Sequence, residues 1–331
     1  VDDEMLMRRV LNANFRQGGA DHAEALVNYA LNESAPPELR EEALKCLAQW
    51  ATPASLDRVV GLWRPLDPRA SNEAVTVVSP AIDQLLSAKN EDVRQAAASL
   101  AGALKLSPAE DKLAKLVQDD DEEKDVRVEA LLALEVIESA QLDDAVLAAV
   151  DSKESALRSE GRRLLAKINP DDALPVLTEV LDKGDIREKQ ASLMTLGQMQ
   201  GPEVDALFVQ WLDRLLADDV PPELHLELLT AAGPRDAAEI QDRLAKFEAT
   251  RDPSDPTSEY AETLHGGMSF LGRKIFLEEA SVSCLRCHDI PGAGLVTGGG
   301  TVGPSLAGIG KQDRKYLLEA IVAPNSKIAK G

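Results

Sequence analysis

Residues 91–104 read EDVRQAAASLAGAL. A polar start, an apolar residue, an arginine, then alanine and leucine at helical spacing describe an amphipathic helix. The same phrase recurs along the chain. PPELREEALKCLAQW (36–50) comes before it; KDVRVEALLALEVI (124–137), SALRSEGRRLLAKI (155–168) and GDIREKQASLMTLGQM (184–199) come after it. Aligned on their arginines, the copies place Arg40, Arg94, Arg127, Arg158 and Arg187 at successive gaps of 54, 33, 31 and 29 residues. PPELHLELLTAAG (221–233) is a weaker sixth copy, with His225 where the others have arginine.

Shorter helical stretches alternate with these: HAEALVNYAL (22–31), AIDQLLSA (81–88), DKLAKLV (111–117), LDDAVLAAV (142–150), ALPVLTEVL (173–181) and VDALFVQWLDRLL (204–216). The unit is helix, turn, helix. Units of this size stack, because neither helix buries its apolar face alone. The expected fold class is therefore all-α, a HEAT-like α-solenoid over residues 1–248. Tetratricopeptide arrays have similar periods, but their Trp/Gly/Tyr/Pro signature is absent. Two stretches interrupt the rhythm. Residues 51–75, with Trp63, Pro65 and Pro68, read as a long connection. QDDDEEKD (118–125) reads as an acidic turn, either solvated or a docking surface for a basic partner.

Composition agrees with helices. The chain of 331 residues is 44% hydrophobic but only 3% aromatic, so alanine and leucine carry the apolar content. Its net charge of −21 argues against a nucleic-acid scaffold or a polybasic membrane anchor. The charge is uneven: residues 262–331 hold eight basic and six acidic side chains, net +2, which leaves −23 on residues 1–261. No apolar run reaches transmembrane length. No signal peptide is visible at Val1, but Val1 is not a natural start, so this says nothing about compartment.

ATRDPSDPTSEYAE (249–262) carries two prolines and several small polar residues; it reads as a linker that cannot sustain a helix or pack a core. Beyond it, in residues 263–331, the alanine–leucine rhythm stops. SFLGRKIFLEEA (269–280) reads as a helix. PGAGLVTGGGTVG (291–303) has six glycines in thirteen residues, which let backbone approach a flat ligand or simply make turns. DRKYLLEAIVAP (313–324) is a helix stopped by Pro324.

Between the first helix and the glycines lies Cys284-Leu285-Arg286-Cys287-His288. Two thiols three positions apart can reach two vinyl groups on one porphyrin edge, and the next residue offers an imidazole to the iron. This spacing is the attachment signature of haem c, one per chain. Rival readings are poorer. A structural zinc site wants four ligands, and only three are local, with His265 and Cys46 as unpaired extras. A thioredoxin-like dithiol wants a βαβ context, and none is visible. Cys46 itself reads as a small buried hydrophobe, Met194 and Met199 as helix core, and His22 and His225 as ordinary helix residues. No paired carboxylates, nucleophile elbow, phosphate loop or dinucleotide fingerprint stands out, so no catalytic residue is assigned.

GRKIFLEEASVSCLRCHDI (272–290) and GGGTVGPSLAGIGKQDRKYLLEAIVAPNSKIAKG (298–331) resemble the cytochrome c domain of large planctomycete and verrucomicrobial proteins. Those join a dehydrogenase-like β-propeller, HEAT-type repeats and a C-terminal monohaem cytochrome. The resemblance is close over 262–331 and only one of character over the repeats; no propeller is present here. It implies a class I-like cytochrome fold in which Gly272 permits close helix crossing and Phe276 packs beside the ring. Cys284 and Cys287 are the thioether pair and His288 the proximal ligand. Gly303, Pro304 and Leu306 match a GPxL segment whose proline carbonyl accepts the free N–H of that imidazole. Ile309 covers the ring, and Tyr316 and Leu317 lie on a helix at its side. The family's distal methionine lies beyond the stretch matched here, and no methionine or histidine follows His288. The resemblance leaves two expectations: a cytochrome domain lacking the family's final helix and distal-ligand segment, or a ligand elsewhere, for which Met268 and His265 are the local alternatives.

The implied function is electron transfer, with a sugar or alcohol dehydrogenase as donor and a cytochrome or other redox protein as acceptor. The implied place is the periplasm or the outer face of a membrane, where covalent haem attachment occurs. The alternative is an interaction scaffold whose haem is sensory or structural. A haem enzyme would need a distal acid–base group, which the sequence does not display.

Overall fold

The computed structural model describes residues 3–279, 282, 284–290, 300 and 302–326. Among these the chain is all-α, with seventeen α-helices and no strand. It divides into two compact units, Val1–Gly161 with Leu285–Val302, and Arg162–Cys284 with Gly303–Gly331. The first contains α1 (Glu4–Gln17), α2 (Ala20–Leu31), α3 (Pro37–Ala48), α4 (Asn72–Val78), α5 (Ile82–Leu85), α6 (Glu91–Ala103), α7 (Glu110–Gln118), α8 (Lys124–Ile137) and α9 (Leu142–Val150). Helix α10 (Ser155–Ile168) runs from the first unit into the second. There follow α11 (Pro170–Lys183), α12 (Ile186–Gln198), α13 (Pro202–Leu216), α14 (Pro222–Ala232), α15 (Ala238–Glu248), α16 (Ser269–Glu278) and α17 (Arg314–Val322).

Within the first unit α1, α3, α6 and α8 pack side by side as one layer, and α2, α7 and α9 lie against them as a second. In the second unit α12 packs on α14 and α11, and α13 packs on α15 and α14. The repeat phrase explains the packing. Leu44, Leu47, Leu100 and Leu131 fall on one stripe of their helices and are buried completely. Each such leucine contributes about 2 kcal/mol. Alanine and glycine between them let the axes approach. A Cβ on Gly102 of α6 would lie 3.1 Å from the Ala133 Cα of α8, and one on Gly197 of α12 would lie 2.7 Å from the Ala231 Cβ of α14. Glycine is needed at Gly197 because the opposing atoms belong to backbone and a Cβ, which cannot swing aside.

The repeated cation has a definite task. In α3, α6, α8 and α10 it is the fourth residue of the helix, and it reaches back to carbonyls at or just after the end of the helix before. Arg40 Nε donates to the Ala30 carbonyl at 2.7 Å, Arg94 Nη1 to Ala88 at 2.8 Å, Arg127 Nε to Val117 at 3.0 Å and Arg158 Nη1 to Ser152 at 2.9 Å. The last carbonyls of a helix lack intrahelical partners and carry partial negative charge, so a cation there is stabilising. In α14 the fourth residue is His225, whose Nε2 donates to the Val220 carbonyl at 2.8 Å. The fifth copy corrects the sequence alignment. Asp185 caps α12 by accepting the Glu188 N–H, which makes Lys189, not Arg187, the fourth residue. Lys189 Nζ reaches the Asp182 carbonyl at 3.1 Å, and Arg187 is exposed.

Other expectations are also amended. Helix α4 lies partly inside the stretch read as connection, and α1 and α15 were not marked by the repeat phrase. The remainder of 51–75 is a folded loop around Asp57. This buried carboxylate accepts from Asn12 at 3.1 Å and from the Val59 and Val60 N–H groups at 3.0 Å, and it pairs with Arg16 and Arg64. Burial alone would raise its pKa, but the two N–H groups, Asn12 and Arg16 together hold it below the ordinary carboxylate value. Arg69 stacks 3.8 Å over the Trp50 ring and donates to the Trp50 and Phe15 carbonyls. The acidic turn is bound into the array: Glu122 takes both Nε and Nη2 of Arg94, and Asp120 pairs with Arg127 at 3.0 Å.

The stretch read as a linker is likewise ordered by specific contacts. Asp252 and Asp255 fold it through local turns to Ser254 and Thr257, and Thr257 is buried. Arg251 donates to the Ser258 carbonyl and to Glu262. A 3-10 helix, Ser258–Leu264, then packs on α14. The turn that follows uses two glycines. A side chain at Gly266 would strike Leu226 of α14, and Gly267 has φ +95°, a conformation that favours glycine. The Gly267 N–H donates to Oε1 of Glu227 at 2.8 Å, and Glu227 is buried.

Candidate functional site

The tail begins where Glu227 holds Gly267. Helix α16 covers Ser269–Glu278, close to the expected stretch, and Phe276 is half-buried on it. A Cβ at Gly272 would meet open space among the described residues. After α16, Cys284–Arg286 forms one 3-10 turn, and Cys287 and His288 follow it directly. The two thiols are thus three positions apart, Cys284 opening the turn and Cys287 following it. Both are free; Cys284 and His288 are half-buried and Cys287 is exposed.

The contrast with Cys46 defines what these thiols can do. Cys46 is fully buried on α3 beside Glu42 and Arg58, and burial pushes its thiol pKa up to about 12. It is the inert structural cysteine that its sequence context implied. The motif thiols are reached from solvent.

The boundary between the two compact units falls inside the motif, after Cys284. Chain continuity therefore brings its three residues together. Cys287 and His288 belong with the first unit. Cys284, Phe276, Gly303, Pro304, Leu306, Ile309 and Tyr316 belong with the second, as do Met268 and His265. Pro304 is exposed, and Gly303 and Leu306 are half-buried. Ile309 opens the 3-10 turn Ile309–Lys311 and is half-buried, and Tyr316 is half-buried on α17. Asp313 caps α17 by accepting the Lys315 and Tyr316 N–H groups. Arg314 fixes that helix to the Ser258–Leu264 turn through the Leu264 carbonyl at 2.8 Å. His265 is exposed and lines a shallow cleft with Leu264, Gln312, Asp313, Arg314 and Lys315; Met268 is half-buried at the start of α16.

Burial in the tail differs from that in the array. Among the residues beyond Thr257 whose side-chain burial is described, none is buried. Apolar side chains are present but uncovered: Ile275 is half exposed, Val302 is 88% exposed and Ile321 is 79% exposed. Among the described residues no three His, Cys, Asp or Glu side chains gather as a metal site. Covalent haem asks for a different set, two free thiols, an adjacent imidazole and surrounding apolar surface. The two free thiols and the adjacent imidazole are the donor set that group requires. Sequence reasoning marked the motif itself. It did not mark Gly300, whose backbone lies against the motif turn, because a run of glycines does not show which one is needed.

No helix among the described residues is long and apolar enough to cross a membrane. No family model and no curated protein matches this chain.

Proposed function

We propose that the tail carries one covalently attached haem c and that the protein transfers electrons through it. The observation that carries this reading is the Cys284–His288 turn: two free thiols three positions apart and an imidazole beside the second. When bound, haem supplies a one-electron centre that cycles between ferrous and ferric iron. Cys284 and Cys287 would fix its edge and His288 would hold the iron. Phe276, Leu306, Ile309 and Tyr316, now only partly covered, would supply apolar surface for the ring. Pro304 would orient the His288 imidazole through its carbonyl, with Gly303 allowing the approach. The distal position would fall to Met268, to His265 or to a group outside this set.

The resemblance to the HEAT-and-cytochrome proteins of planctomycetes and verrucomicrobia supports a class I-like cytochrome fold for residues 263–331 and a HEAT-like array for 1–248. It also supports a periplasmic or extracytoplasmic place, a dehydrogenase as electron donor and a redox protein as acceptor. The array, with −23 on residues 1–261, would present a partner surface that speeds encounter by electrostatics.

The test is a pyridine haemochrome spectrum and an intact mass on the full chain produced with the haem-attachment machinery. A thioether-type α-band together with a one-haem mass increment supports the proposal. A colourless product at the apo mass rejects it. Reversible reduction with a low-spin spectrum then distinguishes electron transfer from a sensory haem, which would bind CO or NO at an open position.

A further inference from the structure

Of the tail's many glycines, Gly300 sits where no side chain fits. A Cβ built on it would collide with the carbonyl oxygen and carbon of Arg286 and would lie 3.0 Å from the Cys287 nitrogen. These are backbone atoms of the motif turn, so nothing at the end of a flexible side chain can move away. The φ of Gly300 lies outside the left-handed region, so the requirement is for space and not for an unusual backbone conformation. Gly272 and Gly310, by contrast, face open space.

We infer that Gly300 is a positioning residue for the haem site: its bare backbone buttresses the Arg286–Cys287 peptide and thereby sets where the second thiol and His288 point. This deepens the proposed function and rests on it for its consequence, but the contact is a property of the apo chain. Attachment adds each S–H across a vinyl group, carbon–sulfur bond at the inner carbon and hydrogen at the outer, with no net oxidation. The reaction therefore depends on placement of the thiols and not on a redox partner. Iron ligation by His288 depends on the same peptide geometry. A side chain at position 300 would displace both.

Two measurements on Gly300→Ala, with Gly310→Ala as control, decide the matter. The first uses apo full-length protein labelled with 15N-cysteine, whose three amide signals belong to Cys46, Cys284 and Cys287. The Cys287 signal is expected to move in Gly300→Ala and to stay in Gly310→Ala. The Cys46 signal stays in both and reports an intact array. If no motif signal moves in Gly300→Ala, the buttress does not exist and the inference falls, whatever the haem content. The second uses protein made with the attachment machinery and follows the visible spectrum as acid displaces the imidazole. Overpacking by one methyl is expected to weaken ligation roughly tenfold or more, which moves the midpoint up by about one pH unit. Failure of Gly300→Ala to load haem while wild type and Gly310→Ala load it also supports the inference. Equal loading and an equal acid midpoint overturn it. A wild type that never loads haem rejects the haem reading, and the amide signals still decide the buttress.

Discussion

Helices α8 and α17 are written in similar letters, KDVRVEALLALEVI and RKYLLEAIV, yet they end in different environments. Helix α8 buries Val126, Ala130, Leu131, Ala133 and Leu134 and closes its arginine on the helix before it. Helix α17 buries nothing, and its Ile321 is almost wholly open. Within each unit of the array, helices find their apolar partners in neighbouring helices. The tail has caps, turns and tethers, and those of its side chains beyond Thr257 whose burial is described are all at least partly open. Apolar area removed from water is the main favourable term in folding, so a region that removes little depends on something else to hold it. A flat apolar group bonded to Cys284 and Cys287 would fill that role.

The largest expected effect separates the two regions outright. Changing both Cys284 and Cys287 to alanine should abolish covalent haem, measured by mass, and leave the array's thermal transition where it was. Limited proteolysis should then cut the tail of the double variant and spare that of the loaded protein. A shift of the array transition, or equal protection of the two tails, would break the comparison.

The next effect acts from the other side. At Gly197 a side chain has no room against Ala231, and Gly197→Val should cost the array about 3 kcal/mol through overpacking. Urea unfolding followed by helical circular dichroism would measure this. The haemochrome spectrum of the loaded protein should be unchanged.

Asp57 gives a somewhat smaller loss, with a pH signature. Its partners lower its pKa in the folded chain relative to the unfolded one. The folded state therefore prefers the ionised form. The resulting stability is fully present above the ordinary carboxylate pKa and is lost as pH falls through the depressed folded value. Asp57→Ala should cost about 2–3 kcal/mol at neutral pH by leaving the Val59 and Val60 N–H groups and Asn12 without their acceptor. Below the carboxylate range wild type loses its advantage and the gap should narrow. A difference that stays constant with pH would mean that Asp57 acts through packing alone.

These cases also show where the sequence was legible. Alanine–leucine periodicity places most of the helices, because helical spacing is written directly into residue order. The Cys284–His288 motif is equally local, five consecutive residues. What escapes is whatever depends on a contact made across the chain. Helix α4 is hidden in a valine-rich segment, NEAVTVV, that propensity alone does not favour as helix. Residues 249–267 look like a spacer until Arg251 and Glu227 are seen to hold them. The Asp57 cluster draws on α1 and the loop, with Asn12 and Asp57 45 positions apart.

The smallest effect is the sharpest test of the repeat itself. Matching letters aligns Ile186-Arg187 with Val93-Arg94 and Val126-Arg127, and so assigns the repeated cation to Arg187. Geometry assigns it to Lys189, because Asp185 starts α12 two residues later relative to that phrase. The array recognises position from the helix start and not the identity of the side chain, which is also why His225 serves in α14. Lys189→Ala should therefore cost about 0.5–1 kcal/mol, the worth of one charge-assisted contact at a helix end open to solvent. Arg187→Ala should change stability by no more than about 0.5 kcal/mol, as exposed substitutions do. Both are measured by the urea midpoint of the array, with Lys189→Arg as the conservative replacement that keeps the contact. If Arg187→Ala proves the costlier change, the fourth-residue rule fails and the letter alignment stands.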